Sequence, residues 1–152
     1  MTVFIAGSRN ITYIPDKAKQ RLINIMRNQY NIIIGDADGA DRLVQEFCHQ
    51  NHYRNITIYA SNGKARNNVG GYNIYNVYVP PYISGYEFFA SKDNQMAVAA
   101  DYGYMLWDGK SRGTYNNIKN LANQNKAVLV YIFPQDRFLT IKSPEDIYLL
   151  KI

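Results

Sequence analysis

A glycine-rich loop carries the side chains of this chain that are best suited to chemistry. Between Asp108 and Thr114 it holds two glycines, two cations and two hydroxyl side chains in seven positions. The apolar run Tyr102–Trp107 before it is typical of a buried strand, and Tyr115–Asn125 after it has helical spacing. A loop between a strand and a helix presents backbone N–H groups and a helix amino terminus to an anion. The loop is therefore predicted to bind phosphate.

A second candidate loop follows the predicted first strand, Thr2–Ala6. It contains Gly7, Ser8 and Arg9, and the planar guanidinium of an arginine can bind a phosphate or carboxylate through two hydrogen bonds. Taken alone, this triplet is a weak signal that favours an ordinary turn with a solvated arginine.

A third candidate loop, Gly35–Asp41, follows the predicted strand Tyr30–Ile34 and leads into a helix over residues 42–51 that Asp38 is expected to cap. Its glycines would let a ligand approach the main chain, and Asp36 or Asp41 would hold ribose hydroxyls or neighbouring backbone. Its three aspartates do not follow the spacing of a calcium-binding EF-hand loop, and no metal or other cofactor is expected.

The order of these segments predicts an α/β fold. Strands alternate with helices along 152 residues, which favours a single domain with a doubly wound, mostly parallel, Rossmann-like sheet of about five to seven strands and helices on both faces. Residues 61–84 are predicted to be an irregular, tyrosine-rich insertion, within which Asn73–Val79 could pair as an edge strand or hairpin. The insertion is either a flap that packs on the domain and stacks on a base, or a surface loop or oligomer contact. Pro144 is expected to open a last helix.

The composition limits the expected cellular location and the expected binding partners. The net charge of +5 favours anionic partners, and because the cations are scattered a nucleic acid is less expected than a small anionic ligand. The longest apolar runs are too short to span a bilayer, so no membrane association is expected. One cysteine, Cys48, excludes an internal disulfide and suits a reducing, cytoplasmic location.

Four stretches together resemble the SLOG superfamily, the Rossmann-like group that includes the "lonely guy" phosphoribohydrolases and the sensor domains of some anti-phage systems. The matching stretches are Ala6–Arg9, Gly35–Asp41, Lys92–Ala97 and Ala100–Thr114. This resemblance implies a pocket for a nucleotide at the carboxyl ends of the strands, and a homodimer or higher homo-oligomer. The ligand-binding residues it implies are Gly7, Ser8, Arg9, Gly35, Asp36, Gly39, Asp41, Lys92, Trp107, Asp108, Gly109, Lys110, Ser111, Arg112, Gly113 and Thr114.

The chain departs from the catalytic pattern of the phosphoribohydrolases. Their loop continues from Gly-Thr to a catalytic glutamate, whereas here Tyr115 and Asn116 follow Gly113-Thr114, and Lys92 stands where the relatives carry arginine. One hypothesis is therefore a module that senses or sequesters an ADP-ribose-type or cyclic nucleotide. The alternative is an N-glycosidase that cleaves the base from nucleoside monophosphates, with Asp36, Asp41, Asp93 or Asp108 in place of the glutamate. A third reading, single-stranded nucleic-acid binding, predicts a steep salt dependence.

Overall fold

The computed structural model describes residues 1–150, apart from the side chains of Tyr86 and Phe89. The sequence places Phe88, Phe89, Met96 and Ala99 at helical spacing, which predicts a buried face, and for Phe89 this prediction lies outside the described residues. Within residues 1–150, no helix is both long enough and apolar enough to cross a lipid bilayer. The regular elements are β1 (Thr2–Gly7), α1 (Asp16–Arg27), β2 (Asn31–Ile34), α2 (Ala40–Gln50), β3 (Ile56–Ser61), β4 (Asn73–Val77), α3 (Gly85–Ala99), β5 (Tyr102–Trp107), α4 (Arg112–Asn123), β6 (Val128–Ile132) and β7 (Arg137–Ile141), with 3₁₀ segments at Phe133–Gln135 and Pro144–Leu150.

One seven-stranded sheet organises the chain, in the order β4-β3-β2-β1-β5-β6-β7. Neighbouring strands are parallel except β6 and β7, which are antiparallel. The predicted α/β fold with a mostly parallel, Rossmann-like sheet is thereby confirmed. Strand β7 was not predicted; in Arg137–Ile141 the exposed and half-buried residues do not alternate regularly, and only Ile141 is fully buried.

The alternation of side chains along β1 shows how the two faces of the sheet are buried. Val3 and Ile5 pack in a core beneath α1 and α2, whereas Phe4 and Ala6 pack in a second core beneath α3 and α4. Three of these four side chains are fully buried, which stabilises the fold by about 1.5–3 kcal/mol for each large residue. Both faces of the central strand are therefore covered, as a doubly wound sheet requires.

The order in which successive strands are added to the sheet reverses between β1 and β5, although these two strands are parallel. After β1 the chain passes to α1 on one face, and after β5 it passes to α4 on the opposite face. The loops that leave the two strands therefore separate, and they leave a crevice at the carboxyl edge of the sheet. Such a reversal point is where open α/β sheets generally bind ligands.

Residues 61–84 contain the edge strand that the sequence suggested at Asn73–Val79. It is β4, which extends the sheet beside β3, and the ring of Tyr75 stacks on Tyr59 with their centroids 4.5 Å apart. Tyr72 is buried, and the guanidinium of Arg54 lies 4.6 Å from the centre of its ring. The edge strand is therefore confirmed, and side chains outside the segment pack against it.

Three predicted helices differ from those in the structure, two in where they begin and one in its type. Gly39, and not Asp38, precedes α2; its φ of 74° favours glycine, and an added Cβ would lie 2.3 Å from the carbonyl oxygen of Arg9. Helix α4 begins at Arg112, three positions before the predicted Tyr115, so the glycine-rich loop is shorter than expected. The last predicted helix is a 3₁₀ segment, Pro144–Leu150.

Candidate functional site

A cleft of about 640 Å³ lies at the reversal point of the sheet. Its wall comes from the loops after β1 and β2, from α3 and from the first turns of α4. This volume falls within the range of about 300–1,000 Å³ that is usual for small-molecule sites. The lining residues are Ala6, Gly7, Ser8, Arg9, Asn10, Ala37, Asp41, Gly85, Ala90, Lys92, Asp93, Ser111, Arg112, Gly113, Thr114 and Asn117.

The amino terminus of α4 supplies the backbone donors of the cleft. No side chain caps this end of the helix, and within residues 1–150 the N–H groups of Arg112, Gly113 and Thr114 have no hydrogen-bond acceptor. First-turn N–H groups of a helix carry a partial positive charge that favours an anion. A Cβ at Gly113 would meet no atom within 4 Å, so the glycine leaves this turn open on that side.

The loop before α4 is held by Asp108 instead of remaining open to a ligand. Asp108 Oδ1 accepts hydrogen bonds from the backbone N–H groups of Lys110 at 2.9 Å and Ser111 at 2.8 Å, and its Oδ2 accepts one from Ser111 Oγ at 2.9 Å. Burial opposes ionisation of Asp108, but these hydrogen bonds outweigh it and lower its pKa to about 2. The N–H groups of Lys110 and Ser111 are therefore occupied, and the phosphate donors expected from the whole loop begin only at Arg112.

Several predicted ligand residues lie outside the cleft. Trp107, Gly109 and Lys110 border a separate depression of about 460 Å³ on the far side of α4. Trp107 is buried there, stacks on Tyr115 at 5.9 Å and donates its indole N–H to the carbonyl oxygen of Ser111 at 3.1 Å. These contacts give Trp107 a packing role, and Arg112 is the predicted ligand residue that borders both cavities.

Asp36 is bound by the protein itself. One oxygen accepts a hydrogen bond from the Arg66 guanidinium at 2.8 Å and the other accepts one from the Arg66 backbone N–H at 2.8 Å. Burial opposes ionisation of Asp36, but Arg66 and the ammonium of Lys92 at 3.6 Å hold its pKa below the usual value. Asp36 therefore anchors the segment between β3 and β4, as its alternative role toward neighbouring backbone predicted, and it does not line the cleft.

Gly7, Gly35 and Gly39, in the loops after β1 and β2, lie where the backbone packs closely against other atoms of the protein. A Cβ at Gly7 would lie 2.4 Å from the carbonyl oxygen of Leu106, and one at Gly35 would lie 2.7 Å from Asp41 Oδ2. Gly7 lines the cleft, whereas Gly35 and Gly39 do not. Their requirement for glycine comes from close packing within the protein.

Two acidic side chains do line the cleft, Asp41 and Asp93. Burial raises the pKa of Asp41 to about 7, although the nearby charge of Lys92 opposes the shift. Burial also raises the pKa of Asp93, again opposed by Lys92, whose ammonium lies 3.6 Å away. Of the acids considered from the sequence, Asp41 could hold a proton near neutral pH in the cleft, whereas Asp36 and Asp108 are held as carboxylates.

The sequence did not single out every residue of the cleft. Asn117 is buried and lies one helical turn after Gly113, so the helical period could have placed it on the same face. Arg66 lies 30 residues from Asp36 in an irregular segment, and no local pattern indicated their pairing.

Comparison with known proteins assigns neither a family nor a function to the chain. No family model matches the chain, and no curated protein matches it either. The likeness to the SLOG superfamily therefore rests on the four sequence stretches alone.

Proposed function

We propose that the cleft binds the phosphate of a nucleotide or nucleotide-derived ligand, and that the domain senses or sequesters this ligand. ADP-ribose-type molecules and cyclic nucleotides are the classes that the SLOG resemblance favours. The observation that carries the proposal is the uncapped first turn of α4, whose N–H groups open onto a cleft of about 640 Å³. A phosphate oxygen would accept these hydrogen bonds, as anions do at other helix amino termini.

Two arginines give the cleft a charge that suits phosphate. Arg9 and Arg112 both line it, on the loop after β1 and on the first turn of α4. Within residues 1–150 the guanidinium of Arg112 makes no ion pair with a protein carboxylate. Charge-assisted hydrogen bonds contribute about 1.5–3 kcal/mol each, so a few of them support micromolar affinity, which corresponds to about 8 kcal/mol.

Titration calorimetry with AMP, ADP-ribose and cyclic AMP tests this proposal. Arg112→Ala and Gly113→Val are each expected to weaken the binding of whichever probe binds by at least tenfold, since they remove a guanidinium and fill the open side of the turn. Lys119→Ala is the matched control, because Lys119 is a cation of the same helix that lines only the depression on its far side. Equal affinities for wild type and Arg112→Ala would overturn the proposal.

N-glycosidic hydrolysis is the second candidate function, and Asp41 is the observation that favours it. An acid whose pKa is about 7 and which lines the cleft could protonate a leaving base at neutral pH. Chromatography of nucleoside monophosphates incubated with the protein distinguishes the two functions. Release of free base that Asp41→Asn abolishes supports the enzyme, whereas binding without release supports the sensor.

A homo-oligomer is proposed from the resemblance and from the edge of the sheet. β4 is an edge strand, and Ile74, Tyr75, Tyr78 and Tyr82 beside it are exposed. Exposed apolar and aromatic side chains on an open edge favour association with another chain. Sedimentation equilibrium tests this, and a monomer at micromolar concentration would contradict it.

A further inference from the structure

Asp41 is a buried acid of the cleft that the protein leaves half-satisfied. Its exposed fraction is 6%, and its Oδ2 accepts a hydrogen bond from the backbone N–H of Ala37 at 3.1 Å. Its Oδ1 is buried and has no hydrogen-bond partner among the described residues. A buried oxygen without a partner costs about 1–3 kcal/mol, and such atoms are rare in folded proteins. Because Asp41 also lines the cleft, a ligand is the partner that could satisfy this oxygen.

The neighbouring charges do not replace that partner. Lys92 forms ion pairs with Asp36 and Asp93, both at 3.6 Å, but none with Asp41 within 4 Å. Arg66 binds Asp36. Two of these three carboxyl groups, those of Asp41 and Asp93, line the cleft, and Arg9 and Arg112 also line it.

We propose that Asp41 is the specificity-determining residue of the cleft and that its free oxygen binds a sugar hydroxyl of the phosphorylated ligand. The inference rests on the proposed function, because the phosphate at α4 would hold the sugar within reach. The phosphate would bind at the first turn of α4, and the sugar would bind at Asp41.

The protonation of Asp41 explains why a hydroxyl fits better than other polar groups. With a pKa of about 7, Asp41 is present at neutral pH both as a carboxylate and as a neutral acid. The Ala37 N–H occupies Oδ2, so the proton of the neutral acid would reside on Oδ1. That oxygen then accepts a hydrogen bond in one form and donates one in the other. A hydroxyl can do both, whereas an ammonium group only donates and a carbonyl only accepts.

The test compares AMP with 2′-deoxy-AMP and 3′-deoxy-AMP by titration calorimetry at pH 7. In the wild-type protein, at least one deoxy analogue is expected to bind at least tenfold more weakly than AMP. In Asp41→Ala that difference is expected to disappear, while the affinity for the weaker analogue stays within about threefold of its wild-type value. This constant affinity would also show that the variant is folded. Asp38→Asn is the control and should keep the wild-type difference, because Asp38 lies in the same loop but outside the cleft.

Each outcome decides the inference. Equal affinities of all three probes for the wild-type protein would overturn it while leaving phosphate binding intact, as would a difference that persists in Asp41→Ala. Failure of all three probes to bind would overturn it, and the proposed function would fall with it only if ADP-ribose and cyclic AMP also fail to bind. If Asp41→Ala does not fold, Asp41→Leu, which has a similar volume and no polar side-chain atom, replaces it in the same comparison. The wild-type comparison stands without either variant.

Discussion

Ser8 Oγ accepts a hydrogen bond from the backbone N–H of Asp108 at 3.0 Å and so joins the loop after β1 to the loop after β5, 100 residues later. The backbone N–H of Ser8 in turn donates to the carbonyl oxygen of Leu106 at 2.9 Å, and Ser8 is almost completely buried. The hydroxyl and the backbone N–H of Ser8 therefore both join the loop after β1 to the carboxyl end of β5. The sequence marked Ser8 as a ligand residue, but its hydroxyl oxygen is already engaged with the protein.

Replacing Ser8 tests this connection. Ser8→Ala leaves the N–H of Asp108 without its acceptor and is expected to lower the free energy of unfolding by about 1–3 kcal/mol. Urea denaturation measures the loss. The control is Ser91→Ala, because the Ser91 hydroxyl bonds only to the Glu87 carbonyl within the exposed part of its own helix. Equal stability of Ser8→Ala and wild type would contradict the connection.

The carboxylate of Asp108 should make stability depend on pH. Its pKa of about 2 lies below that of an unfolded aspartate, about 3.9. Its ionised form therefore stabilises the folded protein fully above about pH 4, and the contribution is lost as the pH falls from 4 through 2. The difference in unfolding free energy between wild type and Asp108→Asn is expected to be of order 1–2 kcal/mol at pH 6.

Thermal or urea unfolding of both proteins at several pH values checks this dependence. The difference should shrink between pH 4 and the lowest pH at which both proteins fold. A difference that stays constant over that range would show that Asp108 is not held as a low-pKa carboxylate.

Replacement by alanine should have opposite effects on stability at two glycines of the candidate loops, Gly113 and Gly39. An added methyl at Gly113 meets open space on a helix, so Gly113→Ala is expected to leave stability unchanged or raise it by up to about 1 kcal/mol. An added methyl at Gly39 would clash with the backbone of Arg9 at a φ of 74°, and Gly39→Ala should destabilise by more than about 1 kcal/mol. Chemical denaturation compares the pair, and similar stabilities would mean that the two glycines are not distinguished by packing.

The fold could be predicted because its signals are local. Runs such as Ile32–Ile34 and the helical spacing of Leu22 and Ile25 mark buried strands and helix faces without knowledge of the partner. Strand β7 was missed because its burial depends on its pairing with β6 and not on its own pattern. Element ends were missed where a backbone approach decides them, as at Gly39.

The candidate cleft was only partly predictable. Loops after parallel strands lie at one edge of a sheet, and this rule correctly predicted that Ser8, Arg9, Asp41 and Arg112 line the same cleft. It could not tell which side of α4 a residue borders, so Trp107 and Lys110 were grouped with residues of another cavity. Nor could it reveal that Asp36 and Asp108 are satisfied within the protein, because that depends on Arg66 and on the turn at Lys110.

Backbone amide shifts measured by two-dimensional NMR during titration with AMP test the central claim most directly. The account predicts saturable shifts that are largest at the amides of Gly113 and Thr114, whose N–H groups would bind the phosphate, and smaller at Lys110, whose N–H is held by Asp108. Arg112→Ala should weaken the titration at least tenfold. Shifts centred on Lys110 and Lys119, or no shift at the first turn of α4, would contradict phosphate binding in this cleft.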